Sequence, residues 1–420
     1  MISVLTYCEN VFDGTHNTPE PCAEGHALLT SKNIVNGCLD KSDCYLISES
    51  DYHEINKRSQ VHQWDILFSM IGTVGSVCLV TESDENIDFA IKNMGVFSCR
   101  NARKARWLYY YLQSPYVKKL IQNYLNGAVQ KFLPLGWLRG LDVPKLTPER
   151  EAASNLLWNI DCLIENNRMV CFDLEAAAKL LYDYWFVQFD FPDENGKPYK
   201  SSGGKMVWSD KLRREIPEGF EPVELLDTCS IIDCLHSKKP EFHFESEQFY
   251  LLSLENLTKD GYVDCRNKYF ISKEDYERWT NNVVTRENDF VITNAGRAGD
   301  VVKIPSDVTC AIGRNLTLIR PKAIDPYYLR QFFKSPYFRQ QVTVGLDTGS
   351  FFNSFNVHAI KKLVVLKPSE QVCRNYCKII KPMISLIEQL LRSNQELSSL
   401  RDFLLPLLMN GQVTIGNDGK

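Results

Sequence analysis

The side chains that could catalyse a reaction or hold a metal ion do not form a recognisable set in this sequence. Its seven histidines show no metal-ligand spacing, and no second pair completes a zinc site with Cys373 and Cys377. The run KSSGGK at residues 200–205 lacks the spacing of a phosphate-binding loop. The glycine turns GTVG at Gly72 and GRAG at Gly296 are too short for a dinucleotide fingerprint. We therefore predict a binding and scaffolding protein with no catalytic residues and no metal site.

Polar side chains beside short loops recur at matching places in two halves of the chain. The segment Asp13–His16, DGTH, parallels Asp233–His236, DCLH. Thr73 in the GTVG turn matches the surroundings of GRAG, where Asn294 and Arg297 lie. Glycine lets the backbone approach a ligand closely, and hydroxyl, imidazole, amide and guanidinium groups can contact phosphates or the edges of bases. The alternative, that these residues only stabilise their own loops, stays open.

These matches belong to an internal repeat with an offset of 223 or 224 residues. The stretch LLTSKNIVNG from Leu28 aligns with LLSLENLTKDG from Leu251, and DILFSMIGTVG from Asp65 aligns with DFVITNAGRAG from Asp289. Short β-rich runs separated by glycine turns, with a helical stretch after them, indicate a mixed domain of helices and strands. The chain is therefore predicted to be a tandem duplication, in which an α+β domain of about 140 residues precedes a long helix each time.

Two long helices are predicted from apolar positions that alternate at steps of three and four residues. The first runs from Pro148 to Phe186, and the second starts near Cys373. Each series contains one asparagine, Asn167 or Asn394, which we predict to fix the register of a coiled coil; the alternative is a tolerated, half-exposed side chain. The predicted seam positions are Ala153, Leu156, Ile160, Leu163, Val170, Leu174, Ala177 and Leu181 in the first helix, and Cys373, Tyr376, Ile380, Met383, Ile387, Leu390, Leu397 and Leu404, with the charged Arg401, in the second.

The composition predicts two or three domains and no membrane span. The chain has 420 residues, 44% of them apolar, and no apolar run approaches the roughly 20 residues that cross a bilayer. No signal peptide is evident and the 14 cysteines are scattered, so we expect reduced thiols in a cytoplasmic protein. The net charge is −4 and the pI is about 6.0. Because proteins that bind DNA unaided are usually basic, this chain either binds no DNA or binds it inside a complex.

Several stretches of the chain have residue patterns that are typical of one protein family. They include DGTHNTPEP from Asp13, LLTSKNI from Leu28, GAVQKFLPL from Gly127, LLYDYWFVQFDFPDENGKPYKSSGGKMVW from Leu180 and LRDFLLPLLMNGQV from Leu400. In these stretches the chain resembles the specificity (S) subunit of type I restriction–modification enzymes. The resemblance covers nearly the whole chain and is most specific in the central linker and near the C-terminus.

The resemblance implies a fold, a function and partners. Two tandem α+β target recognition domains would each read one half of a split DNA site, and the two long helices would form an antiparallel coiled coil that holds the domains apart. Two modification (methyltransferase) subunits would dock on the chain, and restriction subunits are further candidate partners. The chain itself would need no cofactor, because S-adenosylmethionine would be bound by the methyltransferase subunits.

The predicted segments follow the repeat. They are a first recognition domain at 1–146, a first long helix at 147–190, a crossover linker at 191–220, a second recognition domain at 221–368, a second long helix at 369–410 and a tail at 411–420. Two departures from the family pattern stand out. The first domain lacks the IPEGF-like lead-in before Tyr7, and the second has DTGSFFNSFNVHAI from Asp347 where the first has GAVQKFLPL.

Candidate DNA contacts are the polar and basic residues of the loops and of a basic cluster before the first domain's helix. Arginine most often reads guanine, asparagine pairs well with adenine, and lysine suits phosphate or guanine. Exposed side chains without a ligand are the alternative throughout. The predicted contacts are Thr15, His16, Lys32, Asn33, Thr73, Arg100, Arg103, Lys104, Lys131, His236, Lys239, Asn294 and Arg297.

Two other functions compete with DNA recognition. The chain could be a coiled-coil scaffold that binds proteins and has no DNA specificity. It could also be a fused restriction–methylation enzyme, but the sequence lacks the Asn/Asp-Pro-Pro-aromatic motif that amino-methyltransferases use on a flipped base. A binding assay with the methyl donor would separate that case from the others.

Overall fold

A computed structural model of the chain describes residues 1–126, 131–243, 248–348 and 353–415. The chain divides into two compact units: the first contains Met1–Glu165 and Glu396–Lys420, and the second contains Asn166–Gln395. Both units mix helices and strands, which confirms the predicted α+β class. Within the described residues, no helix combines the length and the apolar character that crossing a bilayer demands. The described residues include all fourteen cysteines, and none of these forms a disulfide bond.

The first unit is built around a four-stranded antiparallel sheet in the order β2–β10–β7–β8, beside a three-stranded sheet in the order β6–β3–β9. Its strands are β1 (Ile2–Ser3), β2 (Asn10–Asp13), β3 (His26–Leu29), β4 (Ile34–Val35), β5 (Cys38–Leu39), β6 (Tyr45–Ile47), β7 (Asp65–Ser69), β8 (Val77–Leu79), β9 (Phe89–Ile91), β10 (Met94–Ser98) and β11 (Asp142–Val143). Its helices are α1 (Val4–Tyr7), α2 (Glu49–Ser59), α3 (Ala102–Leu112), α4 (Pro115–Asn126), α5 (Leu135–Arg139) and the start of α6 (Pro148–Tyr182), with short 3₁₀ turns at Ser31–Asn33 and Asp84–Asn86.

The second unit repeats this plan, with a four-stranded sheet in the order β15–β21–β18–β19 and a three-stranded sheet in the order β17–β16–β20. Its strands are β12 (Met206–Ser209), β13 (Arg214–Pro217), β14 (Glu221–Glu224), β15 (Cys229–Asp233), β16 (Tyr250–Leu252), β17 (Tyr269–Phe270), β18 (Phe290–Thr293), β19 (Val301–Lys303), β20 (Ala311–Ile312), β21 (Leu316–Pro321), β22 (Asp347–Thr348), β23 (Asn353–Ser354) and β24 (Val364–Lys367). Its helices are α7 (Leu225–Thr228), α8 (Lys273–Thr280), α9 (Pro326–Lys334), α10 (Pro336–Val344), α11 (Val357–Lys361) and most of α12 (Glu370–Met409), with a π-helical turn at Asp183–Val187 and a 3₁₀ turn at Leu254–Asn256.

The repeated sequence therefore folds into a repeated topology, even where the two copies differ in sequence. Ile2 of β1 pairs with Val143, as Glu221 of β14 pairs with Lys367. Strand β1 is therefore equivalent to β14, and β11 to β24. The divergent segment of the second unit is also equivalent, because the bridge Ala295–Ser354 matches the bridge Ile71–Phe132. Residues 127–130 of GAVQKFLPL and 349–352 of the other copy lie outside the described residues.

Matching serines start the same helix in both copies. The Ser48 hydroxyl accepts a hydrogen bond from the backbone N–H of Asp51 at 3.1 Å, and Ser272 accepts one from Asp275 at 3.1 Å. Such caps satisfy one of the N–H groups that a helix start leaves without an internal partner. The repeated Ile-Ser-x-x-Asp-Tyr motif therefore marks the N-termini of α2 and α8.

The buried face of α6 is rotated by one residue from the predicted seam over much of its length. Ala153 and Ile160 are buried as predicted, but Ile164 is 4% exposed while the predicted Leu163 is 51% exposed. The reason is that apolar residues stand in adjacent pairs along this helix, so the spacing alone did not select one member of each pair. The buried positions of α6 are Ala153, Ser154, Leu157, Ile160, Ile164, Cys171, Ala178 and Tyr182.

The two long helices run antiparallel in each unit. In the second unit Asn167 Nδ2 donates to Asn394 Oδ1 at 2.8 Å, and the Cys171 thiol faces the carbonyl of Ile387. As the number rises on one helix it falls on the other, which confirms the antiparallel coiled coil and pairs the two predicted register asparagines.

Arg401, the charged residue in the seam of the first unit, has a charged partner. Arg401 Nη1 donates to Asp161 Oδ1 at 2.8 Å, and the Tyr110 hydroxyl of α3 donates to Asp161 Oδ2 at 2.5 Å. Burial raises the pKa of Tyr110, so this hydroxyl keeps its proton. The network therefore ties the domain of the first unit to both helices.

The two copies differ at a buried aspartate, which begins β7 in the first unit and directly precedes β18 in the second. In the second unit Arg320 holds Asp289 with two hydrogen bonds of 2.8 and 2.7 Å. In the first unit Ser98 is the residue opposite Asp65 in the sheet, and Asp65 Oδ1 is buried without a hydrogen-bond partner. Burial raises the pKa of Asp65 to about 6, and the hydrogen bond from the backbone N–H of His62 to Oδ2 offsets only part of this rise.

We predict opposite effects for Asp65→Asn and Asp289→Asn. A folded pKa above the unfolded value means that the stabilising contribution of Asp65 is complete below about pH 4 and is lost as the pH rises through about 6. Asp65→Asn should therefore stabilise the protein by up to about 3 kcal/mol at about pH 7.5 and change little at about pH 4. Asp289→Asn should destabilise it by about 3 kcal/mol, because Arg320 loses a buried charged partner. Urea unfolding at both pH values is the measurement, and equal losses at pH 7.5 would contradict the assignment.

The pair of Asn167 and Asn394 should fix the register of the two long helices. Asn167→Leu removes the hydrogen bond to Asn394, which is buried, so we expect a loss of about 1 to 3 kcal/mol. The double variant Asn167→Leu with Asn394→Leu should be more stable than either single variant, because it leaves neither amide of the pair without its partner. A double-mutant cycle of unfolding free energies measures this coupling. Additive effects of the two substitutions would show that the pair does not act as a unit.

Candidate nucleic-acid interface

One end of the main sheet in each unit gathers most of the predicted contact residues. In the first unit β2 ends at Asp13, which pairs with Gly95 near the start of β10, and the β7–β8 turn lies at the same end. The strand β3 also ends there, since the backbone N–H of Lys92 donates to the carbonyl of Leu29. We name the loops at this end the first polar edge, defined as residues 13–18, 30–33, 70–76, 92–93 and 131–132. The equivalent second polar edge comprises residues 233–237, 253–257, 294–300, 315–317 and 354–355.

His16 and Thr15 lie on the first polar edge in a hydrogen-bonded loop. His16 Nε2 is 3.1 Å from Asp13 Oδ2, and its Nδ1 is 2.8 Å from Asn93 Oδ1. Thr15 Oγ1 accepts a hydrogen bond from the backbone N–H of Asn17. The imidazole is mostly exposed, so the loop orients a side chain that a ligand could reach.

The second polar edge holds His236 in the same way. His236 Nε2 is 2.8 Å from Asp233 Oδ2, and this imidazole is also mostly exposed. Asn294 lies beside it but is engaged inside the domain. Its Oδ1 accepts a hydrogen bond from the Thr317 hydroxyl at 2.9 Å, and its Nδ2 donates to the carbonyl of Phe355 at 3.0 Å. Contact of Asn294 with a base would require exchange of these bonds.

Arg297 braces two loops of the second polar edge. Its Nη2 donates to the carbonyls of Leu254 and Leu257 at 2.8 and 2.6 Å, and its Nε is 3.6 Å from Asp300. The side chain is partly exposed, so one side of the guanidinium can still meet a ligand. A DNA contact made by Nη2 would first have to break its hydrogen bonds to Leu254 and Leu257. The prediction that Arg297 reads a base stays a prediction.

Asn33 has a structural role, which corrects its assignment as a contact residue. Its side chain is 3% exposed, its Oδ1 accepts from the Thr30 N–H at 2.9 Å, and its Nδ2 donates to the carbonyls of Asp40 and Asp43. Asn256 makes the same set of bonds in the second unit. The repeat identified the matched asparagines, but only the fold shows that their amides are fully used to shape a loop.

The basic cluster of the first unit lies at the other end of the sheet. It follows Ser98, which pairs with Asn10 at the start of β2. Arg103 forms an ion pair with Glu151 of α6 and Lys104 Nζ donates to the carbonyl of Tyr7, while Arg100 Nε is 3.9 Å from a Glu9 carboxylate oxygen. The structure therefore does not bring Arg100, Arg103 and Lys104 to the first polar edge. Sequence alone did not reveal this, because Arg103 and Glu151 are 48 positions apart.

The other predicted contacts are exposed residues. Lys32 Nζ is 3.3 Å from Asp43 and 5.6 Å from the centre of the Tyr45 ring. Thr73 is exposed in its turn, and Lys131 is exposed next to the bridging Phe132. Lys239 Nζ lies 3.7 Å from the centre of the Tyr269 ring.

The fold of this chain is similar to that of a protein of known structure. A crystal structure of the type I restriction–modification S subunit from M. genitalium matches with a TM-score of 0.58 at 16% identity, over 95% of this chain and 93% of that one. The type I restriction enzyme MjaIX specificity subunit of Methanocaldococcus jannaschii is 20% identical over 318 residues, which are 74% of this chain and 69% of that protein. The chain has the fold of a type I specificity subunit. The resemblance inferred from the sequence is thereby confirmed.

Two further comparisons add little to this match. A crystal structure of the HsdS subunit from Thermoanaerobacter tengcongensis matches over 92% of this chain and 91% of that one at 14% identity. Its TM-score of 0.31 is too low to show a shared overall arrangement. No family model matches the chain.

The specificity-subunit fold also brings residues to the first polar edge that the sequence did not single out. Arg58 of α2 lies beside the Asp13–His16 loop, with Nη2 at 3.4 Å from the carbonyl of Gly14. Lys92 donates to the Thr18 hydroxyl. Ile71 and Phe132 form an exposed apolar bridge next to the GTVG turn. An apolar residue beside a glycine turn was the available signal for Ile71, whereas only the fold reveals Arg58 and Lys92.

A group of three potential metal ligands lies on the second polar edge. Among the described residues, one ligand atom each of Asp233, Cys234 and His236 lie within 4.8 Å of one another. Burial raises the pKa of the Cys234 thiol, which favours the neutral form over the thiolate that metals bind. Asp233 and His236 already bond each other, so this arrangement serves the loop.

Removal of the Arg297 brace should loosen one loop of the second polar edge. Arg297→Ala deletes two hydrogen bonds to residues 254 and 257, which together contribute about 2 kcal/mol to the closed loop. We expect amide hydrogen exchange at residues 254–258 to become more than about tenfold faster. Arg339→Ala is the matched control, since Arg339 also lies near Asp300 but does not bond this loop. Unchanged exchange in Arg297→Ala would show that the brace contributes nothing.

Proposed function

We propose that this chain is the non-catalytic specificity subunit of a type I restriction–modification complex, and that its two units read the two halves of a split DNA target. The observation that carries the proposal is the pair of equivalent polar edges on a duplicated domain, in a chain with the fold of an S subunit. Two similar readers suit two separated half-sites, as subunit symmetry does in dimeric DNA-binding proteins.

Each polar edge offers groups that can contact the phosphates and the base edges of DNA. His16 and His236 are oriented by Asp13 and Asp233 and are exposed, so their imidazoles suit phosphates or base edges. On the first edge Ile71 and Phe132 add apolar surface of the kind that contacts the methyl group of thymine. These are contacts that position and discriminate, and they supply no reactive group.

The acidic balance of the chain supports action within a complex. With a net charge of −4, the chain lacks the excess of cations that gives strong unaided binding to phosphates. Modification (methyltransferase) subunits would supply the phosphate contacts and bind S-adenosylmethionine, and this chain would choose the sequence. We propose two such subunits, with restriction subunits as further partners, acting on DNA in the cytoplasm.

Exposed apolar residues on α6 support docking of partner subunits. In the first unit these are Leu156 and Leu163, and in the second they are Met169, Val170, Phe172 and Leu180. Large apolar side chains that face solvent along one helix are typical of protein–protein contact. Each unit offers such residues, which fits one modification subunit per unit.

The matched pair His16→Ala and His236→Ala tests the division of labour. The complex of this chain with its modification subunits should methylate one bipartite sequence in cells, detectable by single-molecule sequencing of methylated bases. We expect His16→Ala to weaken methylation or relax the preference in one half of the sequence, and His236→Ala in the other half, by up to about 3 kcal/mol each. Arg100→Ala, at the other end of the first sheet, should leave the recognised sequence unchanged.

The outcomes separate the competing functions. Loss of all dependence of the methylated sequence on this chain would support a protein-binding scaffold without DNA specificity. Changes in the same half of the target for both histidine variants would reject the assignment of one unit to each half. A mass measurement of the purified complex tests the stoichiometry, for which we expect two modification subunits per chain.

A further inference from the structure

The second unit contains a basic and aromatic segment that the first unit lacks. Fourteen residues separate His236 from Leu251, whereas eleven separate the equivalent His16 from Leu28. The longer segment begins SKKPEFH, and the shorter one reads NTPEPCAEGHA, with no lysine, arginine or phenylalanine. We name residues 237–243 the strap.

The strap is fixed against Tyr269 by several contacts. The Tyr269 hydroxyl donates to the carbonyl of Pro240 at 2.9 Å, and the backbone N–H of His243 donates to the carbonyl of Phe270 at 3.0 Å. The ammonium of Lys239 lies 3.7 Å from the centre of the Tyr269 ring, and Phe242 meets the same ring edge-to-face at 5.4 Å. The strap thus presents Phe242 in a defined position.

A concavity of about 540 Å³ opens beside the strap. Phe242 is one of the residues that line it and is 40% exposed. Arg266 lies on the rim, and its guanidinium is held by hydrogen bonds to Asp264 at 2.5 and 2.9 Å. The other lining residues include Glu255, Asn267, Lys268 and Tyr269.

This combination of groups fits a nucleotide better than the other classes of ligand. A cation would meet Arg266 and Lys268 as well as Glu255, and an inorganic anion would make no use of the Phe242 ring. A nucleotide uses all of them, because its base stacks on an aromatic ring, its phosphate meets the cations, and its base edge meets an amide or a carboxylate. Asn267 and Glu255 supply that amide and that carboxylate.

We propose that the concavity holds one unpaired nucleotide of the DNA, with its base stacked on Phe242 and its phosphate at the rim formed by Arg266 and Lys268. The base must leave the duplex, because both of its faces are covered by neighbouring bases while it stays stacked. The inference rests on the proposed function of the second unit as a DNA reader. It adds a mode of contact that the first unit does not have.

The test uses the complex of the full chain with its modification subunits and duplexes that carry its own target. One nucleotide is left unpaired at a time, at each position of the half-site read by the second unit and of its flanks. An unpaired base costs less to extrude, so at one position the wild-type complex should bind about tenfold more tightly than it binds the fully paired duplex. The readout is the ratio of the two dissociation constants.

The variants separate stacking from folding. Phe242→Ala should abolish this gain, because it should weaken binding of the duplex with the unpaired nucleotide about tenfold more than binding of the paired target. Phe242→Tyr retains an aromatic ring and should keep the gain. Tyr45→Ala removes an exposed aromatic residue of the first unit and should also keep the gain.

Two results would overturn the inference: no position at which an unpaired nucleotide tightens binding, or an undiminished gain in Phe242→Ala. Neither result would touch the proposed function, which fails only if the complex does not prefer its own target over unrelated duplex DNA. A gain that appears only at positions in the half read by the first unit also counts against the inference.

Discussion

Burial of an apolar seam between α6 and α12 is the constraint on which the rest of this structure depends. Neither helix could bury its apolar stripe alone, and helices of 35 and 40 residues are far longer than a helix that packs on a single domain. In the second unit the seam buries Asn394 and partly buries Asn167, and the two amides bond each other. A slip of the seam would separate them, and this requirement converts an apolar stripe into a defined register.

Polar networks then join each domain to the helix pair. In the first unit Tyr110 and Arg401 meet on Asp161. In the second unit Glu175 of α6 receives Arg330 and Lys334 of α9, with Lys334 Nζ at 2.8 Å. Burial alone would raise the pKa of Glu175, but the two cations outweigh it and lower the pKa to about 2. Such an anchor is rigid because loss of one partner leaves a buried charge uncompensated.

Duplication supplied two copies of one framework, and the copies have since diverged in their details. Shared features are those that shape the loops: the helix caps Ser48 and Ser272, and the buried Asn33 and Asn256. Divergence is found where a ligand or a local charge can differ. Asp289 has an arginine partner while Asp65 has none, and only the second unit carries the strap. The function that we propose, the reading of a split DNA target, would need this combination, since two halves of one geometry would then recognise different bases.

The sequence by itself determined the duplication, the α+β class, the two long helices and the pair of seam asparagines, because all of these follow from local period and from internal similarity. It placed His16 and His236 correctly beside loops for the same reason. Only the tertiary structure decided which member of each adjacent apolar pair on α6 is buried, since the partner helix lies more than 200 positions away in sequence. It also decided that Asn33 is buried and hydrogen-bonded within its own loop, and that Arg103 forms an ion pair with Glu151. The reason is that burial and ion pairing depend on residues that meet only when the sheet, the loops and the helices are assembled.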